Sequence, residues 1–175
     1  MTAAQADAMD RGHSSRWWAD AFRGAIAGGL ATWLMDLVTT GLLEGQDEEV
    51  THREEAARVN GKSSVANLVD RVATEYGLDL DDPQRSVAEQ AIHYGLGVIP
   101  GALYAVVRHR VPVLRAGRGL AFGILLWAVN DEYLNTRLAL AGPFEAYPLE
   151  THWRGFVGHA VLGAATDTGI DLLGG

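Results

Sequence analysis

The chain has 175 residues, of which 22 are acidic and 14 basic, for a net charge of −8. That length suits a single domain, 1–175, with a sizeable core. The acidic balance excludes a nucleic-acid partner, because phosphate binding needs a basic surface. The absence of cysteine excludes disulfides and thiolate metal sites.

Hydrophobic residues make up 48% of the chain and the mean hydropathy is +0.02. This is high for a soluble protein and low for a bare transmembrane bundle. The average conceals segregation, with apolar blocks on either side of a strongly charged block at 44–87.

Residues 1–15 are small and polar and predict a frayed tail. Arg16-Trp17-Trp18 follows, and Arg23 opens an apolar run from Gly24 to Leu43 whose only charge is Asp36. About 20 such residues suffice to cross a hydrocarbon core. A cleaved signal peptide competes with this reading, but its apolar region would be shorter and would end in a small-residue cleavage site.

The block that follows carries Glu44, Asp47, Glu48, Glu49, Glu54 and Glu55 among Arg53 and Arg58. Asn60-Gly61 breaks it, and Ser63 or Ser64 caps a second short helix. Val65, Leu68, Val69, Val72 and Tyr76 recur there at helical spacing, giving an amphipathic helix.

Asp81-Asp82-Pro83 is a helix start, with an acidic N-cap and proline at the first helical position. The helix carries Glu89 and His93 toward Val107, with a kink expected at Pro100. Arg108, His109, Arg110, Arg115 and Arg118 form a basic loop. The third apolar helix starts at Gly119 and ends in Asn130-Asp131-Glu132, extending toward Leu140. Gly142-Pro143 and Tyr147-Pro148 mark a turn-rich loop. His152-Trp153-Arg154 then leads into a last helix bearing His159, Asp167 and Asp171.

Three signals favour a membrane protein. With both termini cytoplasmic, Arg11, Arg16, Arg23 and the 108–118 arginines lie inside and the acidic segments outside, as the positive-inside rule requires. Trp17-Trp18 and Trp153 fall at helix ends, where an aromatic belt belongs. Gly24 and Gly28, Gly97 and Gly101, Gly119 and Gly123, and Ala160 and Ala164 repeat the four-residue spacing that lets helices approach closely in lipid. The expected fold is therefore an all-α, four-helix transmembrane bundle. Its spans lie at about 23–43, 87–108, 118–140 and 154–173, with a short extracytoplasmic helical insert at about 44–82. A soluble four-helix bundle with a buried polar metal site is the competing architecture.

At 1.5 Å per helical residue, Asp36, His93, Asp131 and His159 share one level in the outer third of such a bundle. Glu89 sits one turn from His93, and Glu132 adjoins Asp131. Carboxylates and imidazoles converging from four helices are how bundles build metal sites. Asp36, Glu89, His93, Asp131, Glu132 and His159 are therefore candidate ligands for a divalent ion such as Zn, Mn or Fe. A charge-neutralised network and a proton pathway use the same groups. Bis-His haem through His93 and His159 is disfavoured by the surrounding acids. His152 belongs to the rim of the site or to the interface, and Asp167 and Asp171 are expected to bridge to the basic loop. The glycine-rich stretches lack a P-loop lysine, so nothing supports nucleotide binding.

The second half, roughly 85–172, resembles the YagU-type family of small bacterial inner-membrane proteins, one branch of which is linked to acid resistance. The resemblance rests on Ile92-His93-Tyr94, the run Gly97 to Leu103, the helix start from Gly119 to Gly123, the Tyr147-Pro148 loop and the Gly158-His159 step. The chain departs from it where Asp131-Glu132 replaces an expected third-helix histidine, and in the 44–87 insert. The resemblance implies a four-span inner-membrane protein without an assigned reaction. The partners expected are the lipid bilayer and other membrane subunits or a second copy. A non-catalytic accessory subunit of a larger complex is the alternative function, favoured if the small-residue faces point outward. An enzymatic role has no named substrate.

Overall fold

The computed structural model describes the backbone of residues 3–175 and the side chains from Trp17 onward. It is all-helical, with no strand among the described residues. Helix α1 (Ala3–Glu44) includes the backbone of the segment predicted as a frayed tail, whereas the side chains of Arg11, His13 and Arg16 lie outside the described residues. The insert folds as α2 (Glu48–Ala57), a single 3-10 turn (Val59–Gly61) and α3 (Ser64–Tyr76). Asn60 breaks the insert with a φ of 54°, and the Ser63 side chain caps α3 by accepting from the Ala66 amide.

Helix α4 (Asp82–Val107) opens on a capping box between Asp81 and Gln84, and it continues as one element through Pro100. A 3-10 turn (Pro112–Arg115) leads to α5 (Leu120–Leu126). The third span was expected as one regular helix over 118–140. Instead α5 widens into a π-helical segment (Trp127–Leu134) before the short α6 (Asn135–Arg137). Helix α7 (Leu149–Leu172) starts before the predicted residue 154, with Pro148 as N-cap and Glu150 in its first turn. His152 is therefore helical.

Helix α1 packs along α4 on one side and α7 on the other, and α5 packs on α7. Tyr104 of α4 stacks on Phe122 of α5, their centroids 4.4 Å apart, which closes the ring of helices. Glycine makes these contacts close. A Cβ on Gly24 would overlap the Gly101 carbonyl, and one on Gly28 that of Gly97. On the α5–α7 side, a Cβ on Gly123 would overlap the His159 carbonyl, and Gly119 and Gly163 face each other in the same way.

The result inverts the usual distribution. The buried core consists of Ala27, Ala31, Tyr104, Ala105, Phe122, Leu162 and Ile170, a set short of large aliphatic residues. Phe22, Leu30, Trp33 and Leu37 recur along the outer face of α1 and are 68%, 60%, 51% and 53% exposed. Ile99 and Leu103 do the same on α4. Among the described residues two helices, Trp17–Glu44 and Asp82–Val107, are long and apolar enough to cross a membrane, and only 22% of each apolar window is buried. The core helix of a water-soluble domain would be mostly buried. The third and fourth expected spans do not reach that standard. Asp131, Glu132 and Arg137 interrupt one, and Arg154, Asp167 and Asp171 the other.

Candidate functional site: a cavity lined by histidine–carboxylate pairs

A cavity of about 420 Å³ lies between the helices and the insert. Thr32 and Met35 of α1, His93 and Leu96 of α4, the π-helical segment, and His152, Gly155 and His159 of α7 form its walls. The insert roofs it through Glu54, Arg58 and Leu68. The widened π turn sets the consecutive residues Asn130, Asp131 and Glu132 on the cavity, which a regular helical face would not do.

The polar residues form pairs. His93 Nε2 lies 2.8 Å from Asp36 Oδ1, joining α4 to α1. His159 Nδ1 lies 3.0 Å from the Gly155 carbonyl oxygen and 3.6 Å from Asp131 Oδ2, and Asn130 donates to the other Asp131 oxygen at 2.8 Å. His152 Nδ1 lies 2.8 Å from Glu132 Oε1, and its Nε2 lies 3.1 Å from the Phe144 carbonyl oxygen. The Phe144 ring stacks on the imidazole with centroids 4.0 Å apart.

Of the six candidate ligands, His93, Asp131, Glu132 and His159 line the cavity. Asp36 stands behind His93. Glu89 is half-buried and makes no polar side-chain contact among the described residues. No three histidine or carboxylate groups among the described residues come together in a way that could hold a metal ion. Each imidazole lies beside one carboxylate instead, His93 with Asp36, His159 with Asp131 and His152 with Glu132.

Three features were not assigned to the site from sequence. One is His152 as a full partner of Glu132. Another is the Trp127 Nε1 group, buried on the cavity wall without an acceptor; Gly155 lets the indole approach, since a Cβ there would sit 3.1 Å from Nε1. The last is the buried carboxylate Glu54 at the roof. It accepts two hydrogen bonds from Arg154 Nη2 at 2.8 Å, one from Arg58 at 3.0 Å and one from Thr151 at 3.0 Å. Burial pushes the Glu54 carboxyl up, but these donors outweigh it and hold it below its ordinary value. Asn67 adds a second tie by donating to the Leu140 carbonyl at 2.9 Å.

At the far end of the bundle the expected bridges to the basic loop are present. Arg108 donates to Asp167 and Asp171, both at 2.7 Å, and the Tyr104 hydroxyl donates to Asp167 at 2.7 Å.

The chain matches no family model, no curated protein and no solved structure.

Proposed function

We propose that this protein is a four-span inner-membrane bundle whose cavity, roofed by the extracytoplasmic insert, takes up protons at histidine–carboxylate pairs. The membrane part rests on the inverted distribution of side chains. Rows of exposed Phe, Trp, Leu and Ile along α1 and α4 are costly in water and suited to lipid. Helices joined through glycine are the usual packing in that medium. The small-residue faces are used between helices of this chain, which speaks for a self-contained site over an accessory subunit.

The proton reading is carried by His152. Both of its ring nitrogens face acceptors, a carboxylate oxygen and a carbonyl oxygen. A neutral imidazole has one N–H and can satisfy only one of them. Either the ring is an imidazolium facing ionised Glu132, or Glu132 is protonated and donates to Nδ1. Both arrangements place one proton on the pair. The stacked Phe144 ring favours the imidazolium through its π face. His93 and His159 each have one ring nitrogen in polar contact and need no such proton.

The test is nitrogen and carboxyl NMR of the full chain in lipid nanodiscs at neutral pH, with His152→Gln assigning the signal. The expected result is a proton shared by His152 and Glu132, and proteoliposomes that take up protons faster than those carrying Glu132→Gln. A neutral imidazole opposite an ionised Glu132 would overturn the reading. So would uptake no greater than in empty vesicles.

A further inference from the structure

The end of the bundle opposite the cavity carries a second concentration of charge, of the other sign. Arg108, Arg110, Arg115 and Arg118 fall within one loop, although the chain as a whole is acidic. Three of them, Arg108, Arg115 and Arg118, line an open recess of about 550 Å³ together with His109, Pro112, Asp167 and Asp171.

The charges in this recess do not cancel. Arg108 is engaged by both carboxylates, and Arg115 lies 3.4 Å from each. Arg118 has no hydrogen bond or ion pair among the described residues, and Arg110 reaches only the Val106 carbonyl. Three guanidiniums therefore face two carboxylates, and Arg110 adds a fourth cation to the same loop. Arg108 is 1% exposed, yet its buried Nε has no acceptor. The backbone holds Arg118 at the rim in an unfavourable conformation. Gly117, Arg118 and Gly119 all have positive φ, at 65°, 57° and 86°, and Arg118 lacks the freedom of its glycine neighbours.

Apolar side chains are exposed on the same loop and at the same helix end. Val111 and Val113 of the loop and Leu172 and Leu173 at the end of α7 are exposed. Arg23 of α1 donates to the Leu173 carbonyl at 3.0 Å, which brings the exposed Trp17–Trp18 stack to the same end of the molecule. A guanidinium unpaired among the described residues, beside exposed aliphatic and indole groups, matches a ligand with a phosphate next to a hydrocarbon chain.

We infer that this recess binds the phosphate headgroup of an anionic phospholipid, with Arg118 as the recognising group and the flanking apolar residues against its acyl region. A free phosphate would use the guanidiniums and leave the apolar rim without a role. The proposal rests on the membrane reading above but is independent of the cavity.

The experiment is thermal unfolding of the detergent-purified full chain with added phosphatidylglycerol, phosphatidylcholine or inorganic phosphate. Phosphatidylglycerol is expected to raise the midpoint by roughly 5 °C, and the other two by much less. Arg118→Gln should remove at least half of that shift. The Arg118 side chain is exposed and has no carboxylate partner among the described residues, so this variant should fold. Arg71→Gln, on the distant α3, should keep the full shift. Equal shifts from the two lipids, or loss of the shift in Arg71→Gln, would overturn the proposal as mere bulk interaction. An equal shift with inorganic phosphate would overturn the lipid assignment. If the protein is recovered without detergent, the membrane reading itself fails. A detergent-requiring protein indifferent to headgroup charge sinks only this inference.

Discussion

Glu54 of α2 and Arg154 of α7 lie 100 positions apart in the chain and meet through two hydrogen bonds of 2.8 Å. Both side chains are shielded from solvent, and Gln46 joins them by accepting from Arg154 Nη1 at 2.6 Å. This contact fixes the insert as a roof over the cavity.

Removing one member of a shielded pair leaves the other charged and unpaired, which costs about 3–5 kcal/mol. Glu54→Ala should therefore release the insert and lower stability by an amount in that range. Hydrogen exchange should show the loss of protection concentrated in α2 and α3, with α1 and α4 spared.

The same pair sets an acid response. The Glu54 carboxyl in the folded protein lies below its ordinary value of 4.5. Its contribution is therefore complete above about pH 4.5 and lost as the pH falls through the lower folded value. Limited proteolysis at decreasing pH should cut the insert before the helical bundle. Glu54→Gln should be cut equally at all pH values in that window.

The glycine seams give a positional test. Gly101→Val should separate α1 from α4, because a side chain there meets the Gly24 carbonyl, and the overpacking should cost about 1–3 kcal/mol or more. Gly95→Ala on the same helix meets no neighbouring atom, and it should be neutral or stabilising by up to about 1 kcal/mol. Thermal unfolding in one detergent distinguishes the two.

The two aspartates at the basic end differ in burial and should differ in cost. Asp167 is 1% exposed and holds both Arg108 and Tyr104, so Asp167→Asn should cost about 3–5 kcal/mol. The Asp171 side chain is 40% exposed, and Asp171→Asn should cost about 1 kcal/mol or less. Denaturant melts of the two variants give the comparison.

The sequence made some of this legible and hid the rest for physical reasons. The four-residue glycine spacing is a local pattern whose consequence, close approach, hardly depends on which helix is met; Gly24 and Gly28 could be read without knowing that Gly97 and Gly101 oppose them. The Asp81 capping box and the break at Asn60-Gly61 are local in the same sense. The bridges from Asp167 and Asp171 to the basic loop followed from charge and helix-end position. The Glu54–Arg154 contact has no local trace. The π turn at Trp127–Leu134 was hidden because its residues, Trp-Ala-Val-Asn-Asp-Glu-Tyr-Leu, have unremarkable helical propensities. With the helix started at 154, His152 reads as a residue of the rim or of the interface, although Pro148 followed by Glu150 is a start signal.

Helix α7 is fastened at both ends by charge, through Arg154 beneath the roof and Asp167 above the basic loop. These anchors lie thirteen positions apart, roughly 20 Å of helix, and His159 and Gly163 lie between them. A rod held at two points cannot slide or turn without breaking one of its fastenings. The wall across from it is held to α7 through the Glu132–His152 and Asp131–His159 pairs, and its π turn carries an extra residue that a regular helix would expel. If the cavity changes width when a proton arrives at Glu132, the third helix is the jaw that moves and α7 is the fixed one.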